Sequence, residues 1–445
     1  MIDMSPELVT ILMFAGVLVG VLVGYPLAIV VGAVGLIVGV LLFGGEVLAE
    51  LYYGRIFKTL TNYVLLAVPL FIFMGTMLER SRVADSLYDA LYLWFGGFRG
   101  GLAITTVLIG TVMAACVGVI AASTTMLALI ALPSMVNRGY DRALATGSVC
   151  AGGTLGILIP PSIMLVVYGP MSGLSVGKLF FGAFIPGFLL SGLYCAYIIV
   201  ACLLRPQMGP PVPPEDRRVP FLEKTKRLLV SLVPPVALIL AVLGSIFFGI
   251  AAPTEASAVG AFAATILAIA YRRFSFKILK ETAFATVRMS AMVLLIASLS
   301  FAFVGVFIRA GCGDVVANVI LGSPGGRWGA FVVVMFICFV LGMFIDWIGI
   351  VFIMVPIITP IVPALGFDPL WFGMMICVNL QMSFLTPPFA YAIFFVKGTA
   401  PPELGITTAD IIRGVIPFVL LIMVGIALCI FFPQIILWLP SRMIA

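Results

Sequence analysis

Two stretches of this sequence break long apolar runs with the residues that free backbone oxygens. The first is Gly152-Gly153-Thr154-Leu155-Gly156-Ile157-Leu158-Ile159-Pro160-Pro161-Ser162. The second is Asn379-Leu380-Gln381-Met382-Ser383-Phe384-Leu385-Thr386-Pro387-Pro388-Phe389. Proline has no N–H and clashes with the preceding turn, so carbonyls just upstream lose their helical partners. In hydrocarbon, such groups are tolerated only where they line a protein cavity or bind something. Each break also carries hydroxyls. The chemistry on offer is coordination of a hard cation or a polar solute near mid-membrane; the structural alternative is a proline-kinked helix.

A further polar landmark precedes each break. Ser123, Thr124 and Thr125 split one apolar stretch, with Ser123 37 residues before Pro160. Asp346, in Asp346-Trp347-Ile348-Gly349, splits another, 41 residues before Pro387. An acid between apolar runs is costly in lipid and functional by default, although Asp also suits a helix cap. Hydroxyls, loosened carbonyls and a carboxylate are oxygen donors that suit Na⁺ better than a soft metal. Ser and Thr can instead bond back to their own helix. Two candidate sodium sites follow. One joins Ser123 and Thr124 to Gly152, Gly153 and Thr154; the other joins Asp346 and Gly349 to Ser383, Thr386 and Pro388. Ser123, Thr125, Ser162, Asn379 and Ser383 are candidate contacts for a polar solute. Glu255 stands at a helix start, where it can cap the helix and answer its dipole.

The elements that must position these residues repeat. Pro26 precedes Pro160 by 134 residues, and Pro253 precedes Pro387 by the same 134. Paired broken segments in two halves of a chain point to a transporter binding site. With 63% hydrophobic and 9% charged residues over 445, no soluble fold can cover the apolar surface. An all-α polytopic membrane protein of two inverted repeats is expected. Each repeat holds a helical hairpin, re-entrant or fully spanning by length alone, and a broken helix.

The first repeat is residues 1–205, with an interfacial arm at 46–60, a hairpin at 100–136 and a broken helix at 140–172. Residues 206–227 form a proline-rich basic linker. The second repeat is 228–445, with a basic arm at 272–284, a hairpin at 328–367 and a broken helix at 369–396. With the linker cytoplasmic, 18 of the 24 Lys and Arg face the cytoplasm, as the positive-inside rule asks. Both termini then face outward, and the first hairpin enters from inside while the second enters from outside.

The same composition excludes other classes. There is no histidine, which removes His-ligated zinc, Ser-His triads and HExxH chemistry. The absence of histidine and the repeat argue against an intramembrane enzyme, and no cofactor is expected. The charge of +6 is small and dispersed, unlike a nucleic-acid surface.

Pro69-Leu70-Phe71-Ile72-Phe73-Met74-Gly75, the Gly152–Ser162 block and Pro253-Thr254-Glu255-Ala256 together resemble the large membrane subunit of tripartite ATP-independent periplasmic (TRAP) transporters. The resemblance covers essentially the whole chain. It implies an elevator-type secondary transporter of the ion transporter superfamily, with a scaffold and a sliding transport domain, in a bacterial inner membrane. It implies Na⁺-driven uptake of an organic acid anion. The anion would be delivered by a periplasmic binding protein, with a separate small four-helix membrane subunit on the scaffold. By position it places sodium ligands at Ser123, Gly152, Thr154, Asp346 and Thr386. The tip sequence Gly118-Val119-Ile120-Ala121-Ala122 departs from relatives that have more Gly and Ser there. A receptor-independent anion/Na⁺ symporter or antiporter of the same superfamily is the alternative.

Overall fold

The computed structural model describes residues 4–118, 120–388 and 390–444. Val119 of the first tip and Phe389 of the second break lie outside the described residues. Every regular element among the described residues is a helix.

The chain opens with α1 (Pro6–Leu22) and α2 (Leu27–Phe43), then α3 (Gly45–Leu60), the expected arm. Pro26 stands immediately before α2, where a missing N–H breaks no helical bond. Helices α4 (Ala67–Arg80) and α5 (Val83–Phe95) lead to a hairpin of α6 (Gly101–Val117) and α7 (Ile120–Val136). The first broken helix is α8 (Arg142–Thr154) and α9 (Ile163–Ser172), followed by α10 (Val176–Leu204). Beyond the linker come α11 (Phe221–Phe247), α12 (Pro253–Ala270), α13 (Phe276–Arg309) and α14 (Cys312–Leu321). The second hairpin is α15 (Gly326–Gly342) and α16 (Trp347–Ile358); the second broken helix is α17 (Pro369–Ser383) and α18 (Tyr391–Thr399). Helix α19 (Thr408–Phe431) is the last long element.

Three expected boundaries shift. Residues 276–284 are not a separate arm but the first turns of the 34-residue α13. Ser275 caps that helix at Ile278 N, and no Gly or Pro interrupts it before Gly305. Residues 221–227 leave the linker and join α11, where Glu223 and Arg227 pair one turn apart. Ser123, Thr124 and Thr125 do not form the first turn between hairpin helices; they lie inside α7. The chain turns one helical turn earlier, at Gly118, whose φ of 66° is easy only for glycine.

Six helices, α10, α11, α12, α13, α19 and the segment Tyr63–Arg80, are long and apolar enough to cross a membrane. The chain is a multi-pass helical membrane protein. Hairpin helices α6 and α7 have 17 residues each.

The helices pack as two groups. In one, α13 packs on α2, α3 and α4, α12 on α4 and α11, and α1 on α2. The Arg80–Glu281 pair, 2.6 Å apart, also ties α4 to α13. In the other, α8 is held by α6, α7 and α19, and α17 by α15, α10 and α19. Glycine permits the closest approach here. A Cβ on Gly147 of α8 would lie 2.6 Å from the Gly414 carbonyl carbon of α19, so the backbones touch. Glu255 accepts from Ala252 N at 2.9 Å and caps α12, the structural role its position allowed.

Candidate functional site

In the first break, α8 ends at Thr154 in a single 3₁₀ turn, Leu155–Ile157, before the Pro160–Pro161 pair. Helix α9 then restarts at Ile163. Ser162 Oγ donates to the Ile157 carbonyl and so bridges the break that the prolines open. Thr154 Oγ1 donates to Ala151 O at 3.0 Å. Pro160, Pro161 and Ser162 are all buried.

The first tip is pressed onto this break. A Cβ on Gly118 would lie 3.5 Å from the Pro161 carbonyl oxygen. A Cβ on Gly153 would lie 2.8 Å from Thr124 Cα, so only glycine lets α7 and α8 meet there. Gly152 meets α6 in the same way: a Cβ on Gly110 would lie 2.7 Å from the Gly152 carbonyl oxygen. The structure thus brings Thr124, Gly152 and Gly153 together. Ser123 and Thr124 are fully buried, Thr125 partly. Thr124 Oγ1 has no hydrogen-bond partner in the protein. A buried orphan hydroxyl costs desolvation free energy unless something else satisfies it.

The second break follows the same plan with looser execution. Helix α17 ends at Ser383 and α18 begins at Tyr391. Thr386 Oγ1 donates to Met382 O, and Ser383 Oγ to Leu380 O, both at 2.8 Å. Pro387 and Pro388 are exposed, unlike their buried counterparts. Both Pro–Pro bonds are cis. The second tip reaches this break through Gly342, where a Cβ would lie 2.7 Å from Ser383 Cβ. Asp346 precedes α16, its carboxylate near the N–H groups of Trp347 and Ile348 without closing a side-chain cap bond.

Both tips and the helices that follow both breaks converge on one cavity of about 270 Å³. Ile120 and Ala121 come from the first tip, and Asp346, Trp347 and Ile348 from the second. Ile163 of α9 and Tyr391 and Phe395 of α18 supply the restarted half-helices. The remaining wall is Ile72 of α4 and Met289, Met292 and Val293 of α13, from the other helix group. Asp346 is the single carboxylate in this lining, and no basic side chain joins it. The half-helices are also interlocked: α9 packs on α16, and α18 packs on α7.

Of the expected site residues, only Asp346 is among those lining this cavity. Asn379 donates from Nδ2 to Met335 O at 2.8 Å and ties α17 to α15. Gly349 faces α2, where a side chain would run into Leu27 and lie 2.7 Å from Ile345 Cγ2. Ser162 has already spent its hydroxyl proton on Ile157. Among the residues that shape the tips, the breaks and the cavity, Gly118, Gly342, Tyr391 and Gln381 were given no role from the sequence. Gln381 is fully buried, with neither amide atom partnered in the protein. An amide among Leu, Met and Phe just before a Pro-Pro pair was a usable signal for it.

Two interlocked broken helices around a cavity at the boundary of two helix groups define a membrane transport protein rather than a soluble or scaffolding one. The family model described as "Tripartite ATP-independent periplasmic transporter, DctM component" matches residues 11–435, and the chain belongs to that family. It is 31% identical over 388 residues to the C4-dicarboxylate TRAP transporter large permease protein DctM of Pseudomonas aeruginosa, covering 87% of this chain and 88% of that one. It is 30% identical to the ectoine/5-hydroxyectoine TRAP transporter large permease protein UehC of Ruegeria pomeroyi, covering 96% and 97%. Among solved structures, the YdaH transporter of Alcanivorax borkumensis superposes with a TM-score of 0.66 at 14% identity, over 97% of this chain and all of that one. This last likeness is one of fold.

Proposed function

We propose that this chain is the permease of a Na⁺-coupled importer of an organic acid anion in a bacterial inner membrane. A periplasmic binding protein feeds it and a separate small membrane subunit accompanies it. The observation that carries the reading is the shared cavity, lined from both tips and both restarted half-helices, with Asp346 as its carboxylate. An anion entering this space meets a negative charge and no cationic side chain. A bound cation beside Asp346 removes that repulsion, so ion and substrate favour each other's binding.

The donor set fits Na⁺ as cargo. Thr124 offers an unpartnered hydroxyl, Gln381 an unpartnered amide, and Asp346 a carboxylate. All are the hard oxygen donors that Na⁺ takes. Gly153 packs on Thr124 in the first region; on this reading Ser123, Gly152 and Thr154 complete that site, and Ser383, Thr386 and Pro388 complete the second. Two Na⁺ with a monoanion carry one net positive charge inward, worth about 2.3 kcal/mol per 100 mV of potential.

Alternating access follows as an elevator. The cavity lies where the group of α6–α10 and α15–α19 meets α4 and α13, so sliding one group on the other exposes it to each side in turn. The reciprocal packing of α9 on α16 and α18 on α7 supports two inverted repeats. With the linker cytoplasmic, both termini are periplasmic. The relatives are named for different solutes, C4-dicarboxylates and ectoines, and on this reading much of the specificity lies in the soluble receptor.

The test is uptake in proteoliposomes holding this chain and its small subunit, under an imposed Na⁺ gradient, with and without receptor. Uptake that needs both Na⁺ and receptor is the expected result. Full uptake with Na⁺ alone makes the chain a receptor-independent symporter, and uptake without Na⁺ overturns the coupling.

A further inference from the structure

With the linker cytoplasmic, the expected topology puts eighteen of the 24 Lys and Arg residues on the linker side; the other six are Arg55, Lys58, Lys178, Arg309, Arg327 and Arg442. The positive-inside rule accounts for the eighteen and leaves the six without a role. Three of the six, Arg55, Lys58 and Arg309, converge in one groove of about 580 Å³ between α3 and α13. Arg309 ends α13, whose 34 residues span about 50 Å at 1.5 Å per residue, so the groove lies far from Lys277 and Lys280 at the other end.

The groove is built rather than incidental. Gly305 lies one turn before Arg309, and a Cβ there would sit 3.1 Å from Arg55 Nε. The missing side chain is what lets the Arg55 guanidinium lie on α13. Arg309 is placed by the Phe43 ring, 5.3 Å from its centroid. Glu50 is the one acid in the lining, and the ion pairs found among the described residues leave all three cations unpaired. The opposite face of α3 carries Tyr53, Phe57 and Leu60, all exposed, with the two rings stacked, and Ile308, also exposed, lines the groove itself. The groove thus offers unpaired cations beside an exposed apolar wall at Ile308, on an arm whose far face is apolar.

We propose that this groove binds the phosphate of an anionic phospholipid, in the leaflet opposite the linker. A basic pocket between membrane helices, flanked by an interfacial amphipathic helix, is the chemistry that selects an anionic headgroup. The exposed Ile308 in the groove wall favours a lipid over a free anion, because a water-soluble phosphate gains nothing from it. The apolar far face of α3 suits an arm seated in the bilayer interface. The lipid would bridge the arm to α13 and so fix the arm on the helix group that also carries Ile72 and Met289.

The experiment is native mass spectrometry of the full chain, purified alone and with its small membrane subunit, after exchange into phosphatidylglycerol or phosphatidylcholine. We expect phosphatidylglycerol to be retained and phosphatidylcholine not. Lys58→Gln with Arg309→Gln should lower that retention by about tenfold or more. Lys277→Gln with Lys280→Gln should leave it unchanged. Both double variants keep Arg55 on Gly305, and circular dichroism melting checks that they fold. Equal retention by the groove variant overturns the proposal. So does displacement of the lipid by millimolar glycerol phosphate, which would make this a soluble-anion site. Loss of the lipid on adding the small subunit also overturns it, because the groove would then belong to that protein.

Discussion

The two tip-and-break regions share a plan and differ in how they are held. In the first, backbone meets backbone: Gly110 on Gly152, Gly153 on Thr124, and Gly147 on Gly414. Its Pro160–Pro161 pair is buried and its polar groups are neutral. In the second, contact depends more on side chains, Pro387 and Pro388 are exposed, and Asp346 brings a charge to the cavity. Glycine-lined backbone contact fixes geometry, since no rotamer can absorb a displacement. Side-chain contact with an exposed end can adjust. On the proposed reading, the first region is a preformed socket, and the second holds both the charge that senses a cation and the freedom to respond.

The sharpest way to break this comparison is Asp346→Ala. Na⁺-dependent uptake should fall to background while the protein melts as before. A methyl group neither pairs with a cation nor leaves a buried acid unpaired, so the loss would be functional and not structural. Normal Na⁺ activation in that variant would reduce Asp346 to the residue before a helix and remove the asymmetry of charge.

Next in size is the asymmetry of packing. Gly110→Ala places a carbon 2.7–2.8 Å from three Gly152 backbone atoms, with no flexible end to yield. A loss of about 1–3 kcal/mol is expected, read as a lowered melting temperature in detergent. Gly349→Ala meets chiefly the ends of Leu27 and Ile345, which can move, and should cost less. Equal costs would mean that the first region is no more rigid than the second.

A smaller effect separates stability from ion binding. Thr124→Val keeps shape and removes a buried hydroxyl that lacks a partner in the protein. The melting temperature should hold or rise, because an orphan polar group is gone. The Na⁺ concentration for half-maximal uptake should rise by about tenfold, or ~1.4 kcal/mol. Gln381→Leu makes the same test in the second region. A fall in stability with unchanged Na⁺ dependence would show that both groups serve the fold.

The breaks themselves were legible, because Pro and Gly act on the backbone wherever the chain folds. The family was legible from the same blocks. The first tip was misplaced by one turn. Ser123 to Thr125 looked like a polar break, yet short hydroxyl side chains sit comfortably in a helix that packs against a Gly-lined neighbour, and the turn needed only the positive φ of Gly118. The second arm vanished into α13 because nothing between Phe276 and Gly305 stops a helix; its charges marked an interface and not a boundary. The cavity was not legible at all. It joins residues from Ile72 to Phe395, and only tertiary packing puts those together. Gln381 was hidden for the same reason: its type was visible, its burial was not.

Asn379 gives the finest test of the comparison, since its position in the second break suggested solute contact. In the structure its Nδ2 crosses to Met335 O and holds α17 to α15, well inside the packing of the hairpin. Asn379→Ala should therefore cost about 1 kcal/mol of stability for the lost hydrogen bond. The Michaelis constant for substrate and the Na⁺ dependence should both stay at their original values. If instead the Michaelis constant rises several-fold while the melting temperature holds, Asn379 is a solute contact. The second region would then present a polar side chain to substrate that the first, with its Ser162 hydroxyl committed to Ile157, has no counterpart for. The asymmetry between the two regions would then extend from charge and packing to substrate recognition.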